Sequence, residues 1–150
     1  MCIRDSRWYD AKKKDPAFPF GFGLSYTSFR YGKVRVKPAK GGTGARITFD
    51  VVNTGKRRGI AVPQLYVGIP APAAGEEQAP RQLKGFARID LKAGRRKRVV
   101  MKLTERDLSS WDVKANGWKV VPGCYPLAIG RSSRSTVAKG KLPVAGGRCK

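Results

Sequence analysis

Histidine is absent from this 150-residue sequence, and acidic side chains are scarce, with 10 Asp and Glu in total. Without an imidazole, a nucleophile and its base would have to come from a perturbed lysine or a pair of carboxylates. Glu105 and Asp107 are close together, but nothing around them indicates a sugar pocket between two carboxyl groups. Asp50 falls on the outward face of a predicted strand, and Asp107 and Asp112 have the pattern of turn or capping groups. The sequence therefore predicts no catalytic residue.

Cysteine is rarer still, with 3 in the chain. There is no Cys-x-x-Cys motif, and without histidine the ligands are too few for zinc, so we predict no metal site. Gly21-x-Gly23 neither follows a strand nor opens a helix, so it does not indicate a dinucleotide site, and no cofactor is expected. Cys124 and Cys149 are either a disulfide that ties down the C-terminal tail, which would indicate an exported protein, or two free thiols.

Long apolar runs are also missing. No stretch approaches the roughly 20 apolar residues of a membrane span. Residues 1–6 (Met-Cys-Ile-Arg-Asp-Ser) lack the apolar segment and cleavage site of a signal peptide. They resemble translated adapter sequence, so we interpret them as non-native and expect the true N-terminus to be missing. The absence of targeting signals is then uninformative, and the location stays open, with secretion or the cell envelope favoured.

Negative charge is far outweighed by positive charge, because 32 Lys and Arg leave a formal net charge of +22. Such an excess favours a polyanionic partner, either nucleic acid or an acidic polymer. The clusters are residues 12–14, Lys33/Arg35/Lys37, residues 56–58, residues 95–98 and Arg131/Arg134. They are spread over most predicted turns, which favours solvated turns over one functional face. Binding of an anionic polymer through this surface stays open.

Short β-type runs separated by turn residues make up the chain from residue 29 onward. In residues 46–52, for example, Ile47, Phe49 and Val51 alternate with polar side chains, and Asn53-Thr54-Gly55 then marks a turn. Seven or eight such runs occur, and none has a sustained helical period. The pattern predicts an all-β, antiparallel sandwich. Predicted details are a surface loop at residues 70–80, a tyrosine corner at Tyr125, a buried Trp111, core positions for Phe49, Phe86 and Trp118, and irregular strands at Pro63 and Pro126.

An irregular aromatic arm precedes these strands. Eight of the 14 aromatic residues lie within the first 31 positions, and residues 18–27 read Phe-Pro-Phe-Gly-Phe-Gly-Leu-Ser-Tyr-Thr. This segment has neither a helical nor an alternating pattern, so it cannot form a core of its own. Its rings are expected to bury themselves against another surface.

Seven motifs occur in order and carry a family resemblance. They are Arg7-Trp8-Tyr9-Asp10, residues 18–27, Asn53-Thr54-Gly55, Gln64-Leu65-Tyr66-Val67, residues 81–86, residues 108–112 and Pro122-Gly123-Cys124-Tyr125. Together they resemble the C-terminal fibronectin type III-like (immunoglobulin-like) domain of glycoside hydrolase family 3 enzymes, chiefly β-glucosidases. Phe22 stands where many relatives have His or another aromatic, and Pro63 and Pro126 stand where relatives often have strand residues.

The resemblance implies a sandwich of about seven strands without catalytic residues of its own. Residues 7–28 would be the interdomain linker arm, residues 29–145 the fibronectin type III-like domain, and residues 146–150 a tail. The partners would be the upstream catalytic domains of a parent enzyme that hydrolyses terminal β-D-glucosidic bonds in a β-glucoside or oligosaccharide. The expected docking residues are Trp8, Tyr9, Phe18, Phe20, Phe22 and Tyr26.

Two other functions stay open at this point. The chain would be a basic β-sandwich that binds polyanions or nucleic acid, or a carbohydrate-binding module that stacks sugars on exposed aromatic rings.

Overall fold

A computed structural model of the chain describes residue 9, residues 12–70 and residues 80–149. From residue 12 onward the described residues form twelve β-strands and one short helix. They are β1 (Phe29–Tyr31), β2 (Arg35–Pro38), β3 (Ala45–Asn53), β4 (Gly59–Ala61), β5 (Gln64–Val67), β6 (Gln82–Phe86), β7 (Ile89–Leu91), β8 (Arg96–Leu103), α1 (Glu105–Leu108), β9 (Ser109–Asp112), β10 (Gly117–Val120), β11 (Gly123–Gly130) and β12 (Thr136–Val144). The all-β prediction is confirmed. Residues 1–6, and most of the predicted loop at 70–80, lie outside the described residues.

Two antiparallel four-stranded sheets form the sandwich. In one, β1 and β2 pair in tandem with the same edge of β3, and β8 pairs with the other edge. The other has the order β12-β11-β5-β6. Two short ladders, β4 with β7 and β9 with β10, complete the structure. The strand segments outnumber the predicted seven or so because breaks, such as the one at residues 32–34, divide longer runs.

The core lies between the inner faces of the two sheets. Along β3 the odd-numbered residues are buried and the even-numbered ones are partly or fully exposed, as expected for a sheet with one solvated face. The buried side chains include Ile47, Phe49, Val51, Leu65, Val67, Tyr125, Leu127, Ile129, Leu142 and Val144. Full burial of one such aliphatic side chain contributes about 1.5–3 kcal/mol. This shared core fixes the sheets as one unit.

Tyr125 forms the predicted tyrosine corner. Its ring is buried, and its hydroxyl lies 2.8 Å from the Val121 carbonyl oxygen and 3.2 Å from that of Leu108. Burial raises the pKa of this hydroxyl, and the hydrogen bond to Val121 opposes that shift. The start of β11 is thereby fastened to the end of α1.

Two prolines lie where the sequence indicated irregularity. Pro63 is buried between β4 and β5, and its carbonyl oxygen accepts from the Ala87 N–H at 3.1 Å. Pro126 lies within β11, where its carbonyl oxygen accepts from the Gly68 N–H at 2.9 Å.

Core positions were predicted for four aromatic residues, and the prediction was right only for Phe49. Phe86, Trp111 and Trp118 are 69%, 44% and 52% exposed. The two tryptophans lie on the β9–β10 hairpin, which is outside both main sheets. Their rings pack edge to face, with 5.4 Å between the ring centroids. The Arg106 guanidinium lies over the Trp118 ring, 3.1 Å from its centroid. These rings are therefore packed locally on the surface.

A disulfide joins Cys124, near the start of β11, to Cys149 after β12, with 5.0 Å between their Cα atoms. The bond holds the C-terminal segment against the strand that carries Tyr125. No helix within the described residues is long and apolar enough to cross a membrane.

Candidate functional site

The aromatic arm is irregular in the structure, and a tight turn lies at its centre. The Phe22 N–H donates to the Pro19 carbonyl oxygen at 2.9 Å, and Gly21 between them has φ +79°. This arrangement is a type II turn, which requires a positive φ at its third residue. A Cβ atom on Gly21 would also collide with the side-chain amide of Gln64. Glycine is therefore the residue that lets the arm approach β5.

The arm backbone is fastened to the loop between β11 and β12. The Ser133 N–H donates to the Phe20 carbonyl oxygen at 2.8 Å. Arg134 donates from Nη2 to the Lys14 carbonyl oxygen at 2.7 Å, and its Nη1 lies 3.7 Å from the Asp15 carboxylate. These contacts join positions more than a hundred residues apart, so the path of the arm is set by tertiary structure.

Asn53, at the end of β3, fastens the other end of the arm. Its side chain is fully buried, and its Oδ1 accepts from the Thr27 hydroxyl at 2.6 Å and from the Gly55 N–H at 3.1 Å. Its Nδ2 donates to the carbonyl oxygens of Arg57 at 2.7 Å and Leu91 at 3.0 Å. Both lone pairs and both amide hydrogens are therefore used. The sequence predicted only a turn here, because a turn motif does not show what the Asn side chain contacts.

The apolar side chains of the arm point outward although its backbone is held. The exposed fractions are 75% for Phe18, 57% for Phe20, 52% for Phe22 and 92% for Tyr26. Leu24, which was not among the predicted docking residues, is 93% exposed. The Phe18 and Phe22 rings contact each other, with centroids 5.4 Å apart. Of the other predicted docking residues, Tyr9 is partly buried and Trp8 lies outside the described residues.

A cleft of about 360 Å³, with mixed polar and apolar walls, adjoins these side chains on the sandwich. Its walls include the arm at Leu24, strand β1 at Tyr31, and the exposed side chains of Ile60 and Val62. Arg131 contributes to the cleft and donates from Nη2 to the Phe29 carbonyl oxygen at 2.8 Å. Burial raises the pKa of the Tyr31 hydroxyl, and the nearby Arg131 charge opposes that shift. We use the name arm surface for this cleft together with the exposed side chains of Phe18, Phe20, Phe22, Leu24 and Tyr26.

Several carboxylates discussed above hold structural positions. The Asp107 carboxylate accepts from the Thr104 N–H at 2.8 Å and caps α1. Asp112 accepts backbone N–H groups of Lys114 and Ala115, each at 3.0 Å, and these hydrogen bonds lower its pKa. Asp50 pairs with Arg98 at 3.3 Å. Among the described residues, no group of three metal-ligating side chains could hold a metal ion.

Comparison with known proteins agrees with this architecture. Residues 61–133 match the family described as fibronectin type III-like domain. A probable β-glucosidase D of Aspergillus niger is 38% identical over 158 aligned residues, which cover 93% of this chain and 21% of that protein. A probable β-glucosidase L of Aspergillus fumigatus is 37% identical, with 95% of this chain and 21% of that protein covered.

Solved structures show the same relation. The Bifidobacterium adolescentis GH3 β-glucosidase superposes with a TM-score of 0.88 at 35% identity, over 95% of this chain and 21% of that one. A Streptomyces venezuelae β-glucosidase, solved in complex with D-glucose, gives 0.85 at 37% identity, over 92% of this chain and 17% of that one. The chain thus spans about a fifth of the length of the relatives it matches.

The fold, the arm and these matches define a fibronectin type III-like domain. The chain is similar to such a domain in glycoside hydrolase family 3 β-glucosidases, of which it matches about a fifth.

Proposed function

We propose that this chain packs as a structural domain against the catalytic domains of a family 3 β-glucosidase. The parent activity would be hydrolysis of terminal β-D-glucosidic bonds, carried out by those other domains. In this proposal residues 7–28 are the interdomain arm and residues 29–145 the fibronectin type III-like domain. The arm surface is the docking surface, with Trp8, Tyr9, Phe18, Phe20, Phe22 and Tyr26 as its aromatic members and Leu24 added from the structure.

The observation that carries the proposal is the combination of a fixed backbone with exposed apolar side chains. An arm without contacts to the body would leave its rings exposed simply because nothing orders them. Here Ser133, Arg134 and Asn53 hold the backbone, and the rings still face outward. Extended apolar patches on a protein surface indicate an interaction site. Burial of one such side chain by a partner would contribute up to about 1.5–3 kcal/mol.

The test compares the isolated 150-residue chain with the full-length enzyme that contains it. Because Leu24 and Tyr26 are over 90% exposed in the chain, L24S/Y26S should change the chain's free energy of unfolding by less than about 0.5 kcal/mol. In the full-length enzyme the same change should lower the free energy of unfolding by roughly 2–5 kcal/mol. Denaturant unfolding measures both values.

The matched control is Val113→Ser, at an exposed apolar residue in the β9–β10 turn, which is 77% exposed. It should leave both proteins unchanged. Equal destabilisation of the chain and the enzyme by L24S/Y26S, or no effect in the enzyme, would contradict the docking role.

A further inference from the structure

The outer face of the sheet formed by β1, β2, β3 and β8 carries a concentration of positive charge. Its outward positions contain seven exposed cations, namely Arg30, Arg35, Lys37, Arg46, Arg96, Arg98 and Lys102. We call these residues the basic face. Within these four strands, Asp50 is the single carboxylate on the same side, so the strands carry a formal charge of +6 there.

At one end of the basic face three cations stand side by side. Arg46 on β3 is directly opposite Lys37 on β2 and directly opposite Lys102 on β8. Neighbouring strands are about 4.8 Å apart, and like charges directly opposite each other destabilise a sheet. None of the three takes part in an ion pair with any described residue. The row therefore costs stability in the free chain, and an anionic partner would remove that cost.

The other end of the face continues the same charge. Arg30 and Arg96 flank Val52 across the three strands. The next row inward contains Arg98, paired with Asp50. The face has four rows, one for each even-numbered residue of β3 from 46 to 52. Alternate residues on a strand are about 6.7 Å apart and neighbouring strands about 4.8 Å apart, so the rows make a surface roughly 20 Å long and 10 Å wide. An extended chain with repeated negative charges fits such a surface better than a single small anion.

Most basic residues were predicted to lie in scattered turns, and that prediction was wrong for the basic face, whose seven cations all lie on strands. Its cations come from three separate stretches, residues 30–37, residue 46 and residues 96–102, that only strand pairing brings together. Alternation then directs every second side chain to one side of the sheet.

We propose that the basic face binds an acidic polysaccharide. Electrostatic complementarity supports a polyanion. The remaining outward residues of these rows, Thr48, Val52 and Val100, include no aromatic ring on which a nucleobase would stack, which argues against single-stranded nucleic acid. The Cys124–Cys149 disulfide is typical of exported proteins, which favours a polyanion found outside the cell, such as an acidic polysaccharide. The proposal does not depend on the docking role of the arm surface.

The test measures binding of polygalacturonate to the 150-residue chain as a function of salt. In K37Q/R46Q/K102Q the affinity should fall at least about tenfold at low salt, and the slope of log affinity against log salt should become shallower. The control, K56Q/R57Q/K92Q, removes the same number of charges from exposed turns outside the basic face. Its affinity should change by less than about threefold.

Three results would overturn the proposal. They are an absence of binding by the wild-type chain at low salt, an equal loss of affinity in the two triple variants, and tighter binding of single-stranded oligothymidylate than of polygalacturonate at the same salt. Circular dichroism checks folding, and removal of mutually repelling charges should not lower the midpoint of thermal unfolding. If the triple variant does not fold, R46Q, at the centre of the row, is compared with R57Q in the same assay.

Discussion

At the scale of single residues, the buried amide of Asn53 connects three parts of the fold. It contacts the arm through Thr27, the β3–β4 turn through Gly55 and Arg57, and β7 through Leu91. A buried polar group is tolerated when its hydrogen bonds are made, and its removal leaves the partners unsatisfied. The end of the arm, the β3–β4 turn and β7 are therefore joined through one side chain.

Asn53→Ala should lower the free energy of unfolding of the chain by about 2–4 kcal/mol, because several buried groups lose a partner. The Thr54 N–H, which donates to the Ser28 carbonyl oxygen beside Thr27, should exchange faster at the same time, since Thr27 no longer holds this end of the arm. Denaturant unfolding and hydrogen exchange measure the two effects. Thr43→Ala, in the turn before β3, serves as the control. A loss no greater than that of the control would show that Asn53 does not fasten the arm.

At the scale of elements, alternation and turn residues identified the main strands correctly, but the prediction that Trp111 and Trp118 lie in the core was wrong. The residues of the β9–β10 hairpin pair only with each other among the described strands, so Trp111 and Trp118 do not reach the core. The sequence shows that a tryptophan is present, but not which sheet its strand joins. In the structure one face of Trp118 is covered by Arg106. That cover counts against the use of Trp118 for sugar stacking in a carbohydrate-binding module.

Arg106→Ala should destabilise the chain by about 0.5–1 kcal/mol, the usual contribution of an exposed cation–π contact. In a Trp118→Leu background the same change should have almost no effect, because the ring that attracts the guanidinium is gone. Denaturant unfolding of the four proteins in this double-mutant cycle measures the coupling. An additive result would mean that the stacked geometry contributes nothing to stability.

At the scale of the whole molecule, the arm and the C-terminal segment up to Cys149 are both fastened to the sandwich. The arm is held by the β11–β12 loop, and the C-terminal segment is held by the Cys124–Cys149 bond. This bond closes a loop with a sequence separation of 25 residues, so it restricts the unfolded chain as well as the folded one.

Cys124→Ser/Cys149→Ser should lower the free energy of unfolding by about 2–4 kcal/mol, as expected for the loss of a disulfide across a loop of this size. In the unmodified chain, thiol labelling followed by mass spectrometry should find neither cysteine free. Cys2→Ser is the control and should leave both measurements unchanged, apart from its own thiol. Full labelling of Cys124 and Cys149 in the oxidised protein would contradict the pairing.

The sequence by itself determined the class of the fold, the irregular aromatic character of the arm and the family resemblance. Each depends on information local to the chain: period-two alternation, turn residues and seven ordered motifs. Only the tertiary structure decided that the arm is held while its rings stay exposed, that the Trp hairpin lies outside the core, and that seven cations share one face. These features depend on which distant strands become neighbours and in what register. Register follows from the packing of the whole core, so no single segment encodes it.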